Sequence, residues 1–341
     1  MKLEILQSCP PVIRDFLTYN ETIRGKSSRS VEGYFLDLQT FFRYILLVRG
    51  LVQKDTEFEK ITIEKVDIEL IKTVTVSDLY AFLVFCKEER QNGAASRARK
   101  TSTLRIFFKY LSVQTHQLEN NPAEMLETPK VKQSLPKHLT LEDSLELLNS
   151  VEGPYKERDY CILTLFLNCG LRLAELCALN LSSISGDGTL TVVGKGNKER
   201  IVPINDFIVD LLNNFINNYC QNYELDDYIF KNTKTNKPIT RVIILNYFHN
   251  ICKEIEIYTK DEKLPRLHDL RHTYIVHCIT KFEKEMKNIN SYFAILSTMV
   301  GHENINNTMY YSRFTPERIN IINIIEKNSN VVIPKFGDNY E

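Results

Sequence analysis

The sequence predicts a mainly α-helical protein with a small β component, arranged as two domains. Three observations carry that expectation. Apolar residues recur at spacings of three and four along most of the chain, as in helices with one buried face. Two β-rich runs meet at a Gly-Lys-Gly-Asn turn, the mark of a hairpin. With 341 residues the chain exceeds the usual size of one domain, and a proline-containing polar connector interrupts it near residue 133.

The first domain, 1–133, reads as helical. Ser27-Ser28-Arg29-Ser30 supplies an N-cap for a helix in which Tyr34, Leu38, Phe41, Phe42 and Ile45 form one apolar face. Val76-Ser77-Asp78 opens a second helix and Ser96 a third. The charged stretch 54–72 between the first two is rich in β-branched residues and gives no clear pattern. In the second domain, 134–341, LTLEDSLELLNSV and RDYCILTLFLNC read as helices, and Gly170 is a suitable stop for the latter. A new helix starts at once with Leu171-Arg172. The hairpin GTLTVVGKGNKERIVPI follows, then helices from Asp206, Arg241, Leu267, Asn290 and Pro316.

Composition is that of an ordinary globular protein: 43% hydrophobic and 25% charged residues. Basic and acidic residues number 43 each, so the whole chain is not a polycation and any contact with nucleic acid must come from local patches. One such patch is the stretch 90–118, which holds Arg90, Arg97, Arg99, Lys100, Arg105 and Lys109 and no acidic residue. The eight cysteines form no Cys-x-x-Cys pair. Cys161, Cys169 and Cys177 repeat at eight-residue intervals in apolar sequence, which is core spacing. Free thiols suit a reducing compartment. The N-terminus lacks the apolar run of a signal peptide, and the longest apolar stretch is too short to span a membrane. These features predict a cytoplasmic protein with no membrane association, no cofactor and no metal site.

Four stretches place cationic or titratable groups where an anion would use them. In Gly170-Leu171-Arg172 the arginine stands at a helix start, where backbone N–H groups favour an anion; a salt bridge to Glu175 is the plainer role. Gly194-Lys195-Gly196-Asn197-Lys198 lacks the spacing of a phosphate-binding Walker loop but holds a lysine at a hairpin tip. In His268-Asp269-Leu270-Arg271-His272, His268 and Arg271 share a helical face, and the spacing is not that of a zinc motif. Gly301-His302 is followed, nine residues on, by Tyr311, with Tyr310 beside it.

The order and spacing of these stretches resemble the tyrosine recombinase, or phage integrase, family, and the hairpin resembles its Xer branch. The resemblance covers residues 135–326 well; the N-terminal helices resemble that family's SAM-like core-binding domain only in general pattern. It implies a C-shaped clamp on double-stranded DNA and site-specific cutting and rejoining through a 3′-phosphotyrosyl bond, without metal or ATP. By motif, Tyr311 matches the nucleophile, with Tyr310 the alternative, since neighbouring helical residues point about 100° apart. Arg172 and Arg271 match the arginine clamp on the phosphate, His302 the second histidine, Lys195 the acid for the leaving 5′ oxygen, and His268 the partner of the tyrosine proton. Arg97, Arg99, Lys100, Arg105, Lys109 and Lys198 become candidate DNA contacts. The helix at 316–328 matches the one through which protomers of a synaptic tetramer exchange contacts, and it equally suits packing on its own domain. A type IB topoisomerase-like relaxase and a DNA-binding regulator without catalysis are the competing functions.

Overall fold

The computed structural model describes residues 9–53, 55–131, 137–194, 196–232, 235–259, 261–285, 289–302 and 304–309, with the side chains of 282–292 aside. Lys195, Tyr310, Tyr311 and the helix expected at 316–328 lie outside that set. The chain divides into two compact units, Met1–Ser134 and Leu135–Glu341.

The first unit is helical. Helices α1 (Pro11–Thr22), α2 (Ser28–Val48), α3 (Ile68–Lys72), α4 (Val76–Glu88) and α5 (Ala94–Lys109) follow in order, and α5 runs into a π-type turn at Tyr110–Gln114. The expected cap is present: the Ser27 hydroxyl accepts from the Ser30 N–H. At α4, Thr75 and Asp78 complete a capping box. Helix α2 packs against α1, α4 and α5. Its Phe41 meets Phe82 edge to face at 5.1 Å, and Phe16 of α1 meets Phe107 of α5 at 5.2 Å, the geometry aromatic rings prefer.

The segment 54–72, without a clear pattern in sequence, contributes to this core. A 3₁₀ turn at Phe58–Lys60 and the short α3 bracket a loop whose Ile61, Ile63 and Val66 are buried. The Arg43 Nε donates to the Ile61 carbonyl at 2.8 Å, tying the loop to α2. Its β-branched residues are therefore anchors for a loop against helices.

The second unit is built around α7 (Lys156–Cys169), whose residues from Cys161 to Leu167 are all buried. Before it comes α6 (Leu141–Asn149); after it come α8 (Leu173–Cys177), an antiparallel sheet of β1 (Ile184–Ser185), β2 (Thr189–Val193) and β3 (Glu199–Pro203), then α9 (Asp206–Tyr219). A second small ladder pairs β4 (Lys231–Asn232) with β5 (Lys237–Pro238). Helices α10 (Arg241–Glu254), α11 (Leu267–Glu285), α12 (Ile289–Val300) and α13 (Ile305–Met309) complete the described chain.

The β2–β3 hairpin stands where the sequence places it, with Leu190 opposite Val202 and Val193 opposite Glu199. The third strand, β1, and the β4–β5 ladder are too short to show in a sequence pattern. Helices α6, α9 and α11 pack on α7. Tyr274, Ile275, Val276 and Ile279 of α11 form a separate apolar cluster with Phe293, Leu296 and Val300 of α12. That cluster fixes where α12 ends, and with it the turn at Val300-Gly301.

Candidate active site

Gly170 ends α7 in the left-handed region, with φ of 57°. A Cβ there would lie 2.3 Å from the Tyr274 ring, so glycine is required both by conformation and by space. The turn it makes delivers Arg172 to the N-cap of α8. One turn on, Glu175 is buried, its side chain 1% exposed. Its Oε2 accepts from the Arg172 backbone N–H at 2.7 Å and its Oε1 from Arg172 Nη1 at 2.7 Å. The plainer role expected for Arg172, the salt bridge, is therefore real. It does not use up the side chain: Arg172 Nη2 donates to the Gly301 carbonyl, and the side chain keeps 32% exposure.

Arg271 reaches the same turn from α11. It is fully buried, Nη1 donating to the Gly170 carbonyl and Nη2 to the Val300 carbonyl. Two arginines from distant parts of the chain thus hold the consecutive carbonyls of Val300 and Gly301. These are carbonyls at the end of α12, which the helix itself leaves without partners. Asp269 is buried too, and accepts from the Arg266 backbone and guanidinium, which anchors the start of α11.

His302 follows directly. Its N–H donates to the Ser297 carbonyl at 2.9 Å, and its Nδ1 lies 2.8 Å from the buried Thr308 hydroxyl. If that hydroxyl donates, Nε2 carries the ring proton. Burial, and after it the charges of Arg271 and Arg172, push the His302 pKa down to about 4. A neutral ring is then a hydrogen-bond donor at physiological pH. His268 projects from α11 with its ring edge to edge-face against His272 at 4.5 Å. Local desolvation and then the Arg271 charge lower its pKa, while its outer side remains exposed. Burial and then the neighbouring His268 take His272 down to about 4.

The hairpin approaches this cluster from the other side. Its turn closes with the Gly194 N–H donating to the Lys198 carbonyl at 2.8 Å. A Cβ on Gly194 would lie 3.4 Å from Glu175 Oε1 and 3.7 Å from Arg172 Nη1. The residue next to it is Lys195, and Met309, next to Tyr310, follows Thr308. Lys195 and both tyrosines lie outside the described residues, so the cluster is seen through their neighbours.

Arg200 of β3 is the member that sequence reasoning missed. Its Nη2 lies 2.9 Å from Glu175 Oε2. The signal was strand parity: Arg200 and Val202 lie on one face of β3, and Val202 is buried, while Ile201 between them is 63% exposed. A charge on the core side of a strand and an isoleucine outside reverse the usual pattern.

The candidate DNA contacts divide. Lys100 is a correction: it turns inward, 7% exposed, with Nζ 3.0 Å from the buried Asp37 carboxylate. Arg99 pairs with Asp37 at 2.6 Å but stays half exposed, and Arg97 Nη1 donates to the Asn92 carbonyl. Arg105 and Lys109 are exposed and four residues apart on α5, and Lys198 is exposed beside the hairpin turn. Among the described residues no group of three or more His, Cys, Asp and Glu side chains converges as a metal site would, and no helix is long and apolar enough to cross a membrane.

Residues 137–318 match the phage integrase family, and residues 48–115 match the phage integrase N-terminal SAM-like domain. The chain is 36% identical to the tyrosine recombinase XerC of Caldanaerobacter subterraneus subsp. tengcongensis over 303 residues, 89% of this chain and 83% of the relative. It is 29% identical to the tyrosine recombinase XerD of Proteus mirabilis, over 91% of each. Among solved structures, the XerH site-specific recombinase bound to palindromic difH substrate superposes with a TM-score of 0.68 at 18% identity, covering 95% of this chain and 87% of that one. A lambda integrase dimer bound to a COC′ core site gives 0.62 at 17% identity, covering 88% and 94%. At these identities the structures speak for the fold.

Proposed function

The chain belongs to the phage integrase family and is a tyrosine-type site-specific recombinase of Xer type, and from that premise we propose that Tyr311 cuts DNA at a phosphate held by Arg172, Arg271 and His302. The observation that supports this most directly is that Arg172 and Arg271 cap the consecutive carbonyls of Gly301 and Val300, and that His302 is the next residue, its ring held against Thr308. Two arginines from separate elements meet there, and their charge exceeds that of Glu175, the buried carboxylate that pairs with Arg172.

In the proposed reaction the Tyr311 hydroxyl oxygen bonds to phosphorus, its proton passing to His268. The bond from phosphorus to the 5′ oxygen breaks, and Lys195 supplies the proton that the leaving oxygen needs. The transition state gathers negative charge on the non-bridging oxygens, where fixed donors stabilise it more than they stabilise the substrate. Each such donor is worth roughly 3 kcal/mol of barrier. The 3′-phosphotyrosyl bond conserves the energy of the phosphodiester, so a 5′ hydroxyl from another strand reverses the step and no nucleotide is consumed. Arg105, Lys109 and the outer side of Arg99 are suited to further phosphate contacts, as is Lys198; Lys100 is not. Pairing of two DNA sites in a tetramer, with the segment at 316–328 exchanged between protomers, completes the proposal, with the reaction placed in the cytoplasm.

The test is covalent trapping on nicked suicide DNA carrying the recognition site, in EDTA. The wild-type protein is expected to form a protein–DNA adduct that Tyr311→Phe loses and Tyr310→Phe retains. Loss in Tyr310→Phe alone would transfer the nucleophile to that residue. No adduct from any of the three on DNA that they bind would favour a binding role without cleavage.

A further inference from the structure

Arg200 occupies the centre of the cluster without belonging to the set that the family motifs assign to the reaction. On the reading that Arg172 stabilises the phosphate, we propose that Arg200 is a positioning residue for strand cleavage: it sets the Arg172 guanidinium by holding both groups that anchor it, the Glu175 carboxylate and the Gly301 turn.

The geometry makes the two arginines share every anchor. Arg172 bonds Glu175 Oε1 through Nη1 and the Gly301 carbonyl through Nη2. Arg200 bonds Glu175 Oε2 at 2.9 Å. Its stem lies flat against Gly301, where a Cβ would meet Arg200 Cδ and Nε at 2.9 Å and Arg172 Nη1 at 3.2 Å. Gly301 itself has φ of 63°, so any side chain there would be strained as well as crowded.

Charge points the same way. A carboxylate facing Arg172 alone would offset most of that guanidinium's field at the phosphate. Shared between Arg172 and Arg200, Glu175 orients Arg172 and leaves the pair with net positive charge. The influence extends to His302, where Arg200 is among the charges that lower its pKa.

A purely structural role fits poorly. The Arg200 side chain is 10% exposed, yet Nε and Nη1 are buried with no hydrogen-bond partner among the described residues. A buried donor left unpaired costs roughly 1–3 kcal/mol. A methionine would fill the same volume without that cost, so packing alone does not call for a guanidinium here.

The experiment is single-turnover adduct formation on the same nicked DNA at saturating protein, with wild type, Arg200→Met, Arg172→Lys and the double variant. A wild-type adduct that Tyr311→Phe loses establishes the underlying reading first; its absence would overturn that reading and this inference with it. Given the adduct, Arg200→Met is expected to slow the first-order rate about ten- to a hundredfold, the range seen when residues that orient a reacting group are removed, with DNA affinity nearly unchanged. In the Arg172→Lys background the same change is expected to cost less than about threefold, because coupled residues are non-additive. A rate for Arg200→Met close to wild type overturns the proposal. So does equal slowing in both backgrounds, which would mark an independent packing effect. Thermal melts report folding. If Arg200→Met does not fold, Arg200→Lys takes its place: a single ammonium cannot span both anchors, so slowing of several-fold with the same non-additivity is expected, and its absence overturns the proposal equally.

Discussion

Each of the two units buries a carboxylate between two cations, and the two arrangements are put to opposite uses. In the first unit Asp37 of α2 receives Arg99, Lys100 and the Thr103 hydroxyl, all from α5. Both its oxygens are engaged, and Lys100 has its charge neutralised where it lies. This is a pin between two helices. In the second unit Glu175 receives Arg172 and Arg200, while Arg271 stands beside them, held by neutral carbonyls. Arg172 remains partly exposed, and Arg200 keeps two buried donors without partners among the described residues. The ratio of one carboxylate to two cations is the same; the difference is the third cation, Arg271, beside the second cluster. The first cluster joins elements, and on the proposed reading the added positive charge of the second suits an anion from outside.

Breaking each cluster should expose that difference. Asp37→Ala leaves the Lys100 ammonium buried without its partner, and is expected to destabilise the protein by about 3–5 kcal/mol. Chemical denaturation measures this, and cleavage per folded molecule should stay near wild type. Arg271→Ala should do the reverse in kinetics: single-turnover adduct formation falls about 10²–10³-fold, the cost of removing one donor at a developing oxyanion. Equal cleavage losses in the two variants would erase the distinction.

The smallest expected effect sharpens the electrostatics. His302 is held neutral, with its pKa well below the 6.5 of a free histidine. The unfolded chain therefore binds a proton between pH 6.5 and about 4 that the folded chain refuses. Stability is complete above 6.5 and falls as pH drops through that window. His268 and His272, lowered by desolvation and nearby charge, add to the same slope. His302→Asn keeps an acceptor for Thr308 and removes one of these titrations. Its denaturation midpoint should decline less steeply than wild type from pH 6.5 to 4, and an unchanged slope would mean His302 is not held neutral.

Much of this was visible in the chain before any coordinates. The family resemblance carried by the order and spacing of the motifs singled out Arg172, Arg271 and His302, each of which taken alone had a plainer reading. The cap at Ser27 and the stop at Gly170 are local chemistry and therefore local in sequence. What stayed hidden depends on contacts across long separations. Lys100 looked like part of a basic face, and its inward turn is set by Asp37, more than sixty residues away. Arg200 follows from the parity of a five-residue strand, too short for a confident pattern. The stretch 54–72 is held by burial against α2 and α4, with no periodicity of its own. The helix expected at 316–328, with Lys195, Tyr310 and Tyr311, lies outside the described residues.

The end of α12 has one more consequence. Its last carbonyls are capped by Arg172 and Arg271, the same groups proposed to hold the phosphate. The segment leading to the tyrosines is thereby latched by the groups that the proposed cleavage would use. Should that segment come loose, each arginine loses one of its anchors at the same moment. On the proposed reading, damage to this end of the chain yields a protein that fails to cut, so cleavage is made fail-safe by the enzyme's own hydrogen bonds.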